Sequence, residues 1–156
     1  MQFESVNQAL EVLKKHQDTM AAYNHALGVL FHDGSTVAPK ESWAGRGQTM
    51  GVMSQIIYDL ETKPENAELL TYLEAHAEEL SALERRQVEV MRKGYDQMHR
   101  IPAEEYVEYN VLMNDAQNIW AKAKNEDDFA SFAPYLEKIV AFNKKFAGYY
   151  NSELAP

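Results

Sequence analysis

One spacing governs this chain. Phe3, Val6, Leu10, Leu13, Gln17, Met20, Asn24, Leu27 and Phe31 follow one another alternately three and four residues apart. That interval returns a side chain to the same stripe of an α-helix, so it predicts one long helix or two end to end. The same interval recurs through the rest of the sequence. Nowhere do apolar and polar residues alternate with period two over five positions, so nothing supports a half-buried strand. The fold class expected is all-α, a multi-helix antiparallel array of about six helices in a single domain over residues 1–156.

Punctuation sets the expected boundaries. Asp33-Gly34-Ser35 should stop the first helix, because glycine tolerates the left-handed closing conformation. Pro39 marks a second start, and Met50, Met53, Ile57 and Leu60 form the next stripe. Thr62-Lys63-Pro64-Glu65 reads as a helix start with Thr62 as cap, followed by Leu69, Leu70, Leu73 and Ala77. Ser81 with Glu84 repeats the capping-box spacing, so a break near Glu79 is expected before Val88, Met91, Tyr95 and Met98. Arg100-Ile101-Pro102 ends that helix. Tyr106, Tyr109, Met113, Ala116, Trp120 and Ala123 give the cleanest stripe. Asn125 or Asp127 should cap a last helix carrying Phe129, Phe132, Leu136, Ile139, Phe146 and Tyr150. Pro134 lies inside it and predicts a short first turn, then a kink or restart.

Composition narrows the partners. Fifteen Lys and Arg stand against 24 Asp and Glu, a formal net charge of -9. Neutralising nucleic-acid phosphates needs clustered bases, and the densest spot, Arg85-Arg86 with Arg92-Lys93, is interleaved with Glu84, Glu89 and Asp96. It reads as a solvated helix face, so neither nucleic acid nor an anionic membrane is expected as a partner. Ala26–Phe31 is far too short an apolar run to span a bilayer, and the N-terminal residues lack the apolar core of a signal peptide. With no cysteine, there is no disulfide framework and no thiolate metal site. A soluble, cytoplasmic protein is expected.

The search for chemistry returns little. A zinc-binding helix places two histidines at i and i+4 around a glutamate. His16, His25, His32, His76 and His99 contain no such pair, and none has a glutamate three residues before it. Gly45, Gly47 and Gly51 in WAGRGQTMG lack the Lys-Ser/Thr ending and preceding strand of a phosphate loop, so close helix approach is the better reading. Glu104 and Glu108 share a helical face but read as solvated charge. Methionine and tyrosine sit at core spacing and read mostly as packing. No catalytic, cofactor-binding or metal residue is assigned.

Two segments carry a resemblance. RIPAEEYVEYNVLMNDAQNIWAKAKNEDDFASFAPYLEKIVAF, from Arg100, resembles the N-terminal half of carboxypeptidase Taq family metallopeptidases. The matching positions are Ile101-Pro102, Ala116, Trp120, Ala123, Asp128-Phe129, Phe132, Pro134 and Leu136. Upstream, the family has a Trp-Asp-x-x-Thr-x-x-Pro turn. This chain keeps Asp33, Thr36 and Pro39 and puts His32 where tryptophan is usual, and Arg46 matches an arginine in the following helix. Oligoendopeptidase-like metallopeptidases share the helical plan and are the near alternative.

The resemblance implies the N-terminal helical part of a larger zincin-like peptidase, forming the wall or lid of a peptide groove. The family's zinc, or cobalt, sits in a His-Glu-x-x-His helix that this sequence lacks. The implied partners are a missing C-terminal catalytic half, a peptide substrate and a second subunit in a homodimer. The sequence stops at NSELAP in what the family would make mid-element, which points to a fragment or truncated gene product. A stand-alone helical interaction module is the rival reading. Two local expectations follow. His32 and Asp33 should lie in a turn, with Asp33 accepting amides near Thr36 and His32 facing solvent. Tyr149 and Tyr150 should contribute to an apolar surface patch.

Overall fold

The computed structural model describes residues 3–150, with the backbone alone at Lys40. Six α-helices account for nearly all of it: α1 (Val6–Thr36), α2 (Trp43–Glu61), α3 (Pro64–Ala75), α4 (Ala82–Met98), α5 (Ala103–Glu126) and α6 (Phe129–Tyr150). Short 3-10 turns occupy Lys40–Ser42 and Ala77–Glu79, and no strand occurs among the described residues. The all-α reading therefore holds. Asn151–Pro156, where the sequence reading placed an interrupted element, lie outside the described residues.

The described residues divide into two compact units, one from 3–24 and 57–100, the other from 25–56 and 101–150. The first has an apolar core. Val6, Ala9 and Leu13 of α1 meet Leu69, Leu70 and Leu73 of α3, with Leu80 and with Val88 and Tyr95 of α4. Ala9, Leu70 and Leu73 are wholly inaccessible. Across α3 and α4, Arg92 reaches Glu74 with two hydrogen bonds of 2.8 and 2.9 Å, and a third of 3.0 Å goes to the Thr71 hydroxyl. Such a bidentate pair fixes helix register as well as adding attraction. The Ser81–Glu84 capping box is present in both directions.

The second unit is built on an α5–α6 hairpin. Early α5 meets late α6: Tyr109 packs edge-on against Phe142 and Phe146 at 5.7 and 5.3 Å between ring centroids. Against α5 lies α2, whose buried face carries Gly47, Gly51 and Ser54. A Cβ at Gly51 would stand 3.3 Å from Val111, and one at Gly47 3.0 Å from the Asn114 amide. The small-residue reading of WAGRGQTMG is thus right at these two positions.

Four local expectations need correction. The first helix does not stop at Asp33-Gly34-Ser35, and His32 and Asp33 are not in a turn: α1 runs through them to Thr36. Gly34 keeps helical backbone, and the Ser35 and Thr36 hydroxyls donate back to the carbonyls of Phe31 and His32. The helix closes when the amides of Val37 and Ala38 both bond the backbone carbonyl of Asp33, just before Pro39. Thr62 does not cap α3 either. Its hydroxyl donates to Tyr58 in the turn before, Lys63 takes the cap position without a side-chain bond, and Pro64 is the first helical residue. Asn66 instead satisfies the end of α2, donating to the carbonyls of Leu60 and Glu61. At α6 the cap is Asp128, which accepts from the Ser131 amide and hydroxyl, and not Asn125 or Asp127. Asp127 adopts φ 55° and closes α5. Finally, α6 is continuous across Pro134, its sixth residue, with no restart. So near the start only one amide bond is lost.

Candidate functional site

A concave feature of the second unit is assembled along α5. Asn110, Asn114 and Asn118 fall four residues apart, on one helical stripe. The Nδ2 groups of Asn110 and Asn118 donate to the carbonyls of Tyr106 and Asn114, both at 2.8 Å, and Asn114 Nδ2 donates to Asp115 at 3.2 Å. Gln117 lies among them, and its side chain makes no hydrogen bond among the described residues. Beside these amides runs a trough of about 530 Å³ walled by Phe31, Met50, Met113, Trp120, Phe132 and Ile139. No charged side chain lines it. Trp120 stands 46% exposed, with the Lys124 ammonium 4.9 Å from its ring centroid.

Next to the trough, Arg46 lies over the backbone of Gly34. A Cβ there would come within 2.4 Å of the guanidinium, so only glycine permits this approach. Arg46 Nη1 and Nη2 reach Ser42 Oγ and Asn118 Oδ1, each at 3.3 Å. A narrow cleft of about 10 Å³ beside it shares Phe31, Asn114 and Gln117 with the trough.

Farther along the hairpin, Glu105 accepts from Lys145 at 2.7 Å and from the Tyr149 hydroxyl at 3.0 and 3.2 Å. The Lys145 bond chiefly, and the Tyr149 bond after it, hold the Glu105 carboxyl below its ordinary range. Burial first, then the bond to Glu105, raises Tyr149. A carboxylate kept ionised by two donors ties α5 to α6 and is poorly suited to proton transfer near neutrality.

The sequence candidates scatter. His25 and His32 are exposed, and so are Glu104 and Glu108. His16 lies 3.8 Å from Glu61. His76 stacks on Tyr72, with Nδ1 2.8 Å from its carbonyl, and His99 stacks on Tyr95. Among the described residues, no three His, Asp or Glu side chains come together as metal ligands. No helix there is long and apolar enough to cross a membrane. The sequence reading missed the trough. It placed Met113 and Trp120 in a core stripe, yet Ala116 and Ala123 are buried while Met113 and Trp120 stay open. The four-residue spacing of asparagines was the available signal.

The model of the carboxypeptidase Taq (M32) metallopeptidase family matches residues 12–156. This chain belongs to that family. Carboxypeptidase 1 of Bacillus subtilis is 34% identical over 134 residues, covering 86% of this chain and 27% of that protein. Thermostable carboxypeptidase 1 of Pyrococcus furiosus is 30% identical over 146 residues, 94% of this chain and 29% of its own length. Among solved structures, the BsuCP crystal structure superposes with TM-score 0.88 at 31% identity, covering 92% of this chain and 29% of that one. Metallocarboxypeptidase 1 of Trypanosoma cruzi, at 23% identity and TM-score 0.70, shares the fold over 90% of this chain and 28% of its own. The chain thus spans less than a third of the length of these M32 relatives. The Ala116–Trp120–Ala123 and Asp128-Phe129 pattern lies within the M32 match.

Proposed function

We propose that these helices are the non-catalytic N-terminal region of a zinc-dependent metallocarboxypeptidase, forming the wall or lid of its peptide groove. The intact protein would remove C-terminal residues from peptides with broad specificity, in the cytoplasm, as a homodimer. The observation that carries this reading is coverage: the M32 match takes in residues 12–156, while the relatives are more than three times as long. The donor set of this chain does not fit a catalytic zinc, which needs three protein ligands and an open position. Its histidines are dispersed, and no trio forms among the described residues. The zinc, or cobalt, belongs on this reading to the family's His-Glu-x-x-His helix in a C-terminal catalytic half. What this chain offers a peptide is an uncharged apolar trough with amides along its edge.

The test compares two proteins, the 156-residue chain and a version extended through a downstream His-Glu-x-x-His. Each is loaded with zinc or cobalt and assayed for release of the last residue from a blocked dipeptide. The reading expects metal-dependent turnover from the extended protein alone. Metal-dependent turnover by the short chain, or none by the extended one, contradicts it; the second result favours a stand-alone interaction module.

A further inference from the structure

Among the described lysines and arginines only Arg46 and Arg92 are half-buried. Arg92 holds the Glu74 carboxylate. Arg46 donates only to a hydroxyl and an amide oxygen, and no described carboxylate lies within 4.0 Å of it. A guanidinium has five N–H donors, and here two are engaged. Partial burial without a counter-charge is unfavourable, and an incoming anion relieves it. The guanidinium is also held in place. Ser42 and Asn118 fix it from α2 and α5, and Gly34 lets it lie against α1.

The cleft beside Arg46 selects the anion by size. Three helices of the second unit line it: α1 with Phe31 and Gly34, α2 with Arg46, and α5 with Asn114, Gln117 and Asn118. Its volume of about 10 Å³ is room for one water-sized particle. A halide is a single atom near that size, whereas sulfate and acetate each bring several. The lining holds no carboxylate, and it is rich in N–H groups. Gln117 has both of its amide hydrogens unused among the described residues. Asn114, only 5% exposed, spends one Nδ2 hydrogen on Asp115 and keeps the other. A water would satisfy the amides and leave the guanidinium charge unmet. A monatomic anion answers both. We propose that this cleft binds one halide ion, with Arg46 as its counter-charge and Gln117 and Asn114 as amide donors. The ion ties α2 to α5 at the point where Arg46 crosses α1. Neither Met113 nor Trp120 borders the cleft, and its occupation requires neither a peptide nor a catalytic metal.

The test is an NMR titration of the 156-residue chain with sodium chloride and, separately, sodium bromide. Sodium gluconate holds the ionic strength constant, and the Arg46 Nε–H signal is followed. Both halides should move that signal saturably, and sodium acetate and sodium sulfate should not. Gln117→Ala breaks no side-chain hydrogen bond among the described residues. It should weaken chloride about tenfold, the worth of one charge-assisted hydrogen bond. In Arg46→Gln the Gln117 side-chain amide is followed instead, and its response to chloride should vanish. No saturable shift with either halide, or the same shift with acetate and sulfate, overturns the proposal. So does a chloride affinity unchanged by Gln117→Ala. If Arg46→Gln fails to fold, the anion series on the unaltered chain and on Gln117→Ala decides alone.

Discussion

The two units solve the burial problem differently. In the first, leucines of α3 are sealed between α1 and α4, and the half-buried arginine has its carboxylate. In the second, close contact relies on Gly47, Gly51 and Ser54, and the half-buried arginine has none. Of thirteen large apolar side chains exposed among the described residues, eleven belong to the second unit, Phe31, Trp43, Met113, Trp120 and Phe129 among them. The contrast teaches that the first unit closes over its core, whereas the second leaves apolar side chains open, which on the proposed function the rest of the protein would cover. That agrees with relatives more than three times as long.

The contrast can be broken most easily at the leucines. Leu70→Ala or Leu73→Ala, at wholly inaccessible positions, should destabilise by about 2–5 kcal/mol. Trp120→Ala, nearly half exposed, should cost under about 1 kcal/mol in the same urea series, despite the larger side chain. Comparable losses at both places would erase the difference between the units.

A smaller effect sharpens the account of the first unit. Ser81→Ala removes the capping box of α4 and should cost about 1 kcal/mol. Its bonds hold Glu84 below its ordinary pKa near 4.5, the Ser81 side chain contributing most. A lowered folded pKa means that the unfolded state binds more protons at acid pH. The contribution is therefore complete above the ordinary value and lost as pH falls below it. Glu105, held down by Lys145, and Asp128, held down by Ser131, act in the same direction. Stability measured by urea unfolding should therefore fall below about pH 4.5, and Ser81→Ala should shallow that fall. An unchanged acid limb in the variant would remove Glu84 from the explanation.

The smallest effect separates two glycines of one helix. Gly28→Ala meets nothing within 4 Å and should stabilise by up to about 1 kcal/mol through helix propensity alone. Gly34→Ala carries the same propensity gain but forces the Arg46 guanidinium aside, so its net change should be smaller. Equal gains from the two, by thermal unfolding, would show that Arg46 does not rest on Gly34 in solution.

How far the sequence could be read follows the same division. Leu69, Leu70 and Leu73 were legible because period and burial coincide when a helix packs on an apolar core. The Ser81–Glu84 cap was legible because its bonds are local. Asp33-Gly34-Ser35 misled because a glycine is compatible with a helix as well as with its end, and the contact that requires Gly34 comes from Arg46, twelve residues on. Among Asn125, Asp127 and Asp128 the cap is decided by which residue turns left-handed, and the types alone do not show that. Trp120 was recognisable as a stripe residue; its exposure was not, because periodicity says which face a residue occupies and not whether that face is covered. Family membership was legible from the resemblance carried by short patterns such as Ala116–Trp120–Ala123, which lie within the matched residues.

The central claim, that the first unit is closed and the second uncompleted, is tested most directly by hydrogen exchange resolved helix by helix on the 156-residue chain. Amides of α3 and the first half of α1 should exchange only through global unfolding, while those of α5 from Met113 to Trp120 open through cheaper local events. In the extended protein the α5 amides should gain protection and the α3 amides should stay as they were. Equal protection of α3 and α5 in the short chain, or no gain at α5 on extension, would contradict the account.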